Sequence, residues 1–302
     1  MNRPAGRIVC LGDVMIDVLA LLPGPVAIGS DVPAPISFSH GGSAANTAAW
    51  LAKLGAPSVF TGRVGDDEFG RAASEQLRQQ GVTTRISIDP AVPTGVCLVL
   101  IGPDGQRSMV PSAGANATLG AAEPGLLAPT DWLHLSGYSL LNAGSRTAAR
   151  CALEVAAELG CPVSVDAASA EPIRRLGAGQ FLAWLPSGTL LLANVDELNA
   201  LTGEEFDGEA GVAGLVGCGL TLVIKDGPRG AVLASSEGTQ RLPTEPAAVL
   251  DSTGAGDAFA AGLLATLWDG AALPDAVAAG NRVGALALSQ LGGRPPTGDL
   301  RQ

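Results

Sequence analysis

Apolar runs of strand length recur along the chain at Arg7 to Leu11, Ser58 to Thr61, Gly95 to Ile101, Trp132 to Leu135, Pro162 to Val165, Leu190 to Leu192, Leu220 to Ile224 and Ala231 to Ala234. Between most of them lie Ala- and Leu-rich stretches with helical spacing: Ser43 to Leu54, Glu68 to Gln80, Gly144 to Leu159, Ala255 to Leu267 and Pro274 to Leu291. Short strands alternating with helices predict an α/β fold around a mostly parallel sheet. Ligands in such sheets bind at the carboxyl ends of the strands. Two regions break the alternation. Residues 18–40 are Pro-rich and extended, and residues 85–115 read as two β segments joined by the turn Gly102-Pro103-Asp104-Gly105. Inserted β segments of this kind predict a small lid.

Composition narrows the picture. The 302 residues are 47% hydrophobic and 16% charged, a balance that excludes disorder driven by charge. The 41 glycines and 21 prolines punctuate short elements without forming a linker. The chain carries 29 acidic against 18 basic residues, a net charge of −11. Its lysines are Lys53 and Lys225, and it has no basic run, so nucleic acid is not an expected partner. The apolar stretch from Val18 to Gly29 contains Pro23 and Pro25 and falls short of the roughly 20 residues of a membrane span. Asp13 and Asp17 interrupt what would be the apolar part of a secretory signal. Five cysteines without a C-x-x-C pair point to free thiols and a cytoplasmic setting.

The chemistry is concentrated in Asp251-Ser252-Thr253-Gly254-Ala255-Gly256-Asp257, which runs directly into a helical stretch. Two glycines one residue apart let the backbone turn successive N–H groups toward one point. The helix start adds its unpaired N–H groups and positive dipole end, which together make an anion hole. Asp257 reads either as a dipole-stabilising first-turn carboxylate or as a catalytic one beside an arriving phosphoryl group. His40-Gly41-Gly42-Ser43-Ala44-Ala45-Asn46 opens a second helix. Its diglycine lets a polyol approach the backbone while Asn46 offers donors and acceptors, or else it is a simple turn before a capped helix. Asn194-Val195-Asp196-Glu197 reads as a phosphate and magnesium motif or as an N-cap with solvated acids. Lys225-Asp226-Gly227-Pro228 ends a strand, either at the nucleotide phosphates or at a plain hairpin turn. No G-x-x-x-x-G-K-[ST] run is present, so a P-loop is excluded.

Taken in order, Gly12-Asp13 with Asp17, Gly41-Gly42 with Asn46, the run Gly62 to Gly70, Asn194 with Glu197, and Asp251 to Asp257 resemble the ribokinase-like, or pfkB, carbohydrate kinases over nearly the whole chain. The resemblance implies a three-layer α/β/α fold with about eight or nine mostly parallel strands. Residues 1–302 would form a single kinase domain, with lid segments at about 18–40 and 85–115. It implies an ATP-dependent phosphotransferase acting on a primary hydroxyl of a small sugar, or of a nucleoside such as pseudouridine or adenosine; a catalytically silent sugar-binding protein is the remaining alternative. Asp257 matches the family's catalytic base, and Gly254, Ala255 and Gly256 its anion hole. Asp17, Gly41, Gly42 and Asn46 match the sugar-binding positions. Asn194 and Glu197 match the phosphate motif, Glu197 holding magnesium through water. Lys225 and Gly227 fall at the nucleotide phosphates and Asn281 near the adenine pocket. Asp251 and Thr253, with Gly292, align with a loop that binds a monovalent cation such as potassium in many members. Homodimerisation through the lid is a further expectation of the resemblance.

The substrate is less determined. Met15 stands where ribokinase carries a polar residue, which counts against ribose. The lid segments contain Arg85 and Arg107 as cations for a second phosphate, which favours a neutral substrate. Phe38, Phe60 and Tyr138 are the rings available to stack a base. The physical expectation for Asp257 is that a helix N-terminus favours its ionised form and weakens it as a base.

Overall fold

The computed structural model describes residues 6–121, 125–129, 131–206 and 211–296. Among the described residues, thirteen strands form two sheets. The strands are β1 (Ile8–Leu11), β2 (Met15–Leu21), β3 (Ile36–Gly41), β4 (Ser58–Gly65), β5 (Thr83–Asp89), β6 (Gly95–Ile101) and β7 (Arg107–Ser112), followed by β8 (Trp132–Ser136), β9 (Val163–Asp166), β10 (Leu190–Asn194), β11 (Thr221–Lys225), β12 (Ala231–Ser235) and β13 (Gly238–Leu242). The helices are α1 (Ser43–Lys53), α2 (Glu68–Gln79), α3 (Tyr138–Leu141), α4 (Arg146–Leu159), α5 (Ala170–Leu176), α6 (Ala178–Leu182), α7 (Val195–Thr202), α8 (Val212–Gly217), α9 (Ala255–Trp268) and α10 (Leu273–Ala287).

The large sheet has nine strands in the order β13-β12-β11-β10-β9-β8-β1-β4-β5. Every pairing from β11 to β5 is parallel, and β12 and β13 extend one edge antiparallel. Strands buried on both faces explain the continuous apolar runs. One face packs against α1, α2, α9 and α10 around Trp50, Phe60, Leu77 and Leu263. The other packs against α4 to α8 around Leu135, Leu153, Ile173 and Phe181.

Local chemistry sets the helix ends. Asp67 caps α2 by accepting from the Gly70 N–H at 2.8 Å. Asp13 reaches across from the end of β1 and accepts from the Ser43 N–H at 2.8 Å, capping α1 from outside the helix. The sequence pattern carries α10 on to Leu291, but the helix closes at Ala287. The Leu288 carbonyl accepts instead from the N–H groups of Leu250 (2.8 Å) and Asp251 (3.3 Å). That contact ties the end of α10 to the loop preceding α9.

The second sheet has four strands in the order β3-β2-β6-β7. It draws on both segments expected to form a lid, with one correction: the segment beginning at 85 starts inside β5, which joins the large sheet beside β4. Arg85 therefore belongs to the large sheet's edge, where it donates to the Gly125 carbonyl at 3.4 Å. On the small sheet's outer face, Phe38, Val18, Leu98 and Val110 stand side by side across all four strands. Phe38 (67%), Val110 (59%) and Leu98 (39%) remain exposed. The opposite face buries Leu19, Cys97, Val99 and Ile101 and carries Asp17.

Candidate active site

The cleft lies at the carboxyl ends of the parallel strands, where β10 and β11 set Asn194 level with Lys225 and β9 ends at Asp166, level with Leu192. Asp257 sits in the first turn of α9. Its Oδ1 accepts from the Ser43 hydroxyl at 2.9 Å and its Oδ2 from Asn46 Nδ2 at 2.8 Å. One carboxylate thus joins the start of α9 to the diglycine helix α1. Gly254 precedes α9 with φ +73°, and a Cβ there would meet Gly293 Cα at 2.4 Å. At the entry to the helix, Ala255 donates to the Ser252 carbonyl and Ala258 to Gly254, whereas the intervening Gly256 and Asp257 N–H groups have no backbone partner. A Cβ at Gly256 would stand 3.2 Å from Lys225 Nζ. An open pair of N–H groups facing an ammonium group is an anion cradle that a larger side chain would fill.

Electrostatics overturn the expectation that the helix N-terminus governs Asp257. Burial pushes its carboxyl up to about 7, against the hydrogen bonds from Asn46 and Ser43 and with Asp166 adding repulsion. Burial likewise raises Asp17 to about 7, with Arg294 pulling the other way. Desolvation is the largest influence on Asp257, and a carboxyl raised in this way suits proton transfer near neutral pH.

On the acceptor side, Asp17 lies against the Gly41 backbone, where a Cβ would approach its carboxylate to 2.3 Å. Gly42 has φ +95°, and a Cβ there would strike the Asp13 carbonyl at 2.5 Å. Asn46 Oδ1 is buried and has no partner among the described residues. A buried unpaired acceptor beside Asp257 fits a hydroxyl donor.

Asn194 and Glu197 form a reciprocal capping box. The Asn194 N–H and Nδ2 donate to Glu197 Oε2 and Oε1, and the Glu197 N–H donates to Asn194 Oδ1, each at 2.8 Å. The expected solvated acid is instead 4% exposed, and burial raises its carboxyl. Lys225 Nζ pairs with Asp166 Oδ2 at 2.6 Å, and burial of its charge is outweighed by Asp166 and Glu197, which raise its pKa. Gly227 opens a single 3-10 turn joining β11 to β12, so the hairpin reading of this stretch holds for the backbone while Lys225 points to the cleft residues. Asn281 Nδ2 is committed to the carbonyls of Leu242 (3.0 Å) and Pro243 (3.2 Å), pinning α10 to the end of β13. Asp251 is fully buried. Its Oδ1 accepts from the Thr253 N–H (2.9 Å) and hydroxyl (2.7 Å), and its Oδ2 from the Gly292 N–H (2.9 Å).

Sequence reasoning missed Asp166, Ser43 and Arg294. Ser43 and Asp166 sit one residue from, or at, predicted element ends, and that position was the available signal. Two rings offered for stacking face elsewhere: Phe60 is buried in the core, and Phe38 lies on the small sheet's outer face, 6.3 Å from the Phe69 ring. Tyr138, 39% exposed at the start of α3, remains beside Asp13, Glu197 and Asp257. Among the described residues, no three His, Cys, Asp or Glu side chains form a metal cage, and no helix is long and apolar enough to cross a membrane.

A nine-stranded α/β sheet with a carboxylate at an open helix N-terminus defines a phosphotransferase of ribokinase-like fold. The description "pfkB family carbohydrate kinase" matches residues 5–299, and the chain belongs to that family. An ATP-dependent ribose-1-phosphate kinase from Halopiger xanaduensis is 34% identical, covering 86% of this chain and 84% of its own. A probable fructokinase from Arabidopsis thaliana is 28% identical over 95% of this chain and 88% of its own. A fructokinase double mutant from Vibrio cholerae, solved with fructose, ADP and potassium ion bound, superposes with a TM-score of 0.80 at 26% identity, covering 97% of this chain and 95% of its own. The protein is an ATP-dependent sugar or nucleoside kinase of that family.

Proposed function

We propose that the protein transfers the γ-phosphoryl group of ATP to a primary hydroxyl of a free, neutral sugar. The observation that carries this reading is Asp257, whose carboxylate bonds Ser43 and Asn46 of the acceptor-side helix while standing at the open N-terminus of α9. Magnesium-bound ATP supplies the phosphoryl group and much of the charge neutralisation. Asp17 and the unpaired Asn46 Oδ1 accept hydrogen bonds from sugar hydroxyls, and the missing side chains at Gly41 and Gly42 let the turn close against Asp17 and Asp13. Asp257 orients the attacking hydroxyl and takes its proton. The Gly256 and Asp257 N–H groups, with Lys225, face the developing negative charge. Glu197 and Asn194 would hold magnesium-bound water and phosphate by exchanging the bonds they make to each other. Gly227 lies at the phosphates, and Asn281 shapes the wall near the base.

Asp251 is buried without a Lys or Arg ion-pair partner among the described residues, a charge that a potassium ion held with Thr253 and Gly292 carbonyls would balance. The free thiols among the five cysteines suit a reducing cytoplasm. The exposed apolar row through Phe38 and Val110 suits a second copy of the chain, so the four-stranded sheet would act both as lid and as dimer contact.

The neutral acceptor is favoured because the expected cations are engaged. Arg107 donates to the Ser252 hydroxyl and Arg85 is on the large sheet. The 34% identity to a ribose-1-phosphate kinase makes a sugar phosphate the second reading. A thermal-shift panel of sugars, sugar phosphates and nucleosides, with and without a non-hydrolysable ATP analogue, separates them, because ligands of the native state raise its apparent stability. Stabilisation by fructose or another neutral sugar, with ATP consumption, is expected. Response to sugar phosphates or nucleosides alone would replace the neutral-sugar reading.

A further inference from the structure

Arg294 lies in a Gly-Gly-Arg-Pro-Pro segment that reads as an ordinary surface tail, yet it is 7% exposed. Its Nη1 donates to the Ala45 carbonyl and its Nη2 to the Gly41 carbonyl at 3.2 Å. Those two carbonyls bracket the diglycine turn and the first turn of α1. Its Nε is buried without a partner. The residues before it are knit into the same place. Gly293 accepts from Trp50 Nε1 at 3.0 Å, a Cβ on Gly293 would stand 2.3 Å from Asn46 Nδ2, and Gly292 donates to Asp251.

We propose that Arg294 is a positioning residue for phosphoryl transfer, clamping the diglycine turn against the anion-hole segment and supplying the buried positive charge that balances Asp17 and Asp257. A guanidinium whose direct contacts are neutral carbonyls is an expensive way to fill space, because burying its charge goes uncompensated at close range. Burial lowers Arg294 to about 10, and the groups opposing that shift are Asp17, Asp257 and Asp13. The same charge lowers His40 on β3, after burial, and is the largest influence holding Asp17 down against burial. Around Asp17 the other charged neighbours are Asp13 after β1, Asp251 before α9, and Arg107 on β7. With Asp17 itself, three carboxylates then face the two guanidiniums, so removing Arg294 leaves the acceptor side with a surplus of negative charge and the exposed Arg107 to offset it.

The inference rests on the kinase reading of this site. The test compares wild type, Arg294→Met and Arg294→Lys in steady-state kinetics from pH 5.5 to 9, once the panel has identified the acceptor. The Met variant is expected to raise KM for the sugar about tenfold, leave KM for ATP within about twofold, and move the acidic limb of kcat/KM upward by about one pH unit. The Lys variant keeps the charge, so it should restore the acidic limb while leaving the sugar KM raised. A folded Met variant with an unmoved limb and an unchanged sugar KM overturns the inference. So does a parallel rise of both KM values, which marks general loosening. If the Met variant does not fold, the Lys variant decides alone: a wild-type sugar KM in it overturns the clamp. Carbon-13 titration of the Asp17 carboxyl in ligand-free wild type and Lys variant needs no activity, and a displaced titration in the Lys variant would refute the charge role. Wild type inactive on every acceptor would instead sink the kinase reading.

Discussion

Replacing Asp257 by Asn should make the ligand-free protein more stable while disabling it. The carboxyl rises from its ordinary 3.8 to about 7 on folding. At 1.36 kcal/mol per unit, keeping it ionised above pH 7 costs about 4 kcal/mol of folding free energy. The sign follows from proton counts: between pH 3.8 and about 7 the folded state holds the proton that the unfolded state releases, so wild-type stability falls as pH rises through that window. Asn is neutral throughout and avoids the cost. Against this, the charge-assisted bonds from the Ser43 hydroxyl and Asn46 Nδ2 weaken, at about 1 kcal/mol each. A flip of the Asn46 amide, whose Oδ1 is otherwise unpaired, recovers part of that loss. The expected net gain at pH 8 is about 2 kcal/mol, shrinking toward zero or reversing at pH 4. Urea denaturation at both pH values measures it, and kcat should fall by about 10² to 10⁴ with KM little changed. A variant less stable than wild type at pH 8, a pH-independent difference, or undiminished turnover would each refute the account of Asp257 as a desolvated catalytic carboxylate.

Gly254→Ala places a Cβ on a left-handed residue against Gly293, so a loss of about 1–3 kcal/mol and a fall in kcat are expected; a thermal melt matching wild type would contradict the close approach. Lys225→Met strands the buried Asp166 carboxylate and should cost about 3 kcal/mol in urea denaturation, with little change arguing that Asp166 finds water instead. Exchanging potassium for tetramethylammonium should lower activity several-fold, and Asp251→Asn should remove that dependence; equal rates in both salts would leave the Asp251 loop as a purely structural tie. Val110→Asp on the exposed row should convert a dimer to monomer by light scattering without abolishing the kinase reaction, and a monomeric wild type would retire the dimer.

Much of the fold was legible because strands buried on both faces write themselves as apolar runs: β6 was readable to the residue, and α1 and α2 to within one. The edge strands β5 and β13 were not, since Thr83–Asp89 and Gly238–Leu242 are polar where solvent covers them. In the site, Gly254, Gly256, Gly41 and Gly42 were legible as turns because few residues other than glycine fit their backbone or their crowding. The balance between helix dipole and burial at Asp257 was not, because desolvation depends on packing between residues more than 200 positions apart. Arg294 was invisible for the same reason: nothing within its own segment reveals that Gly41 and Ala45 lie above it.

The threading of Gly292, Gly293 and Arg294 between α1 and the start of α9 has a temporal consequence. During synthesis the acceptor helix, the anion hole and Asp257 all leave the ribosome before this segment does. Until it arrives, Trp50 Nε1 and Asp251 Oδ2 lack the partners it brings, and the Gly41 and Ala45 carbonyls lack their contacts with Arg294. A nascent chain can therefore pair its sheet early, while the ties between α1 and the start of α9 close only once Gly292 to Arg294 have emerged.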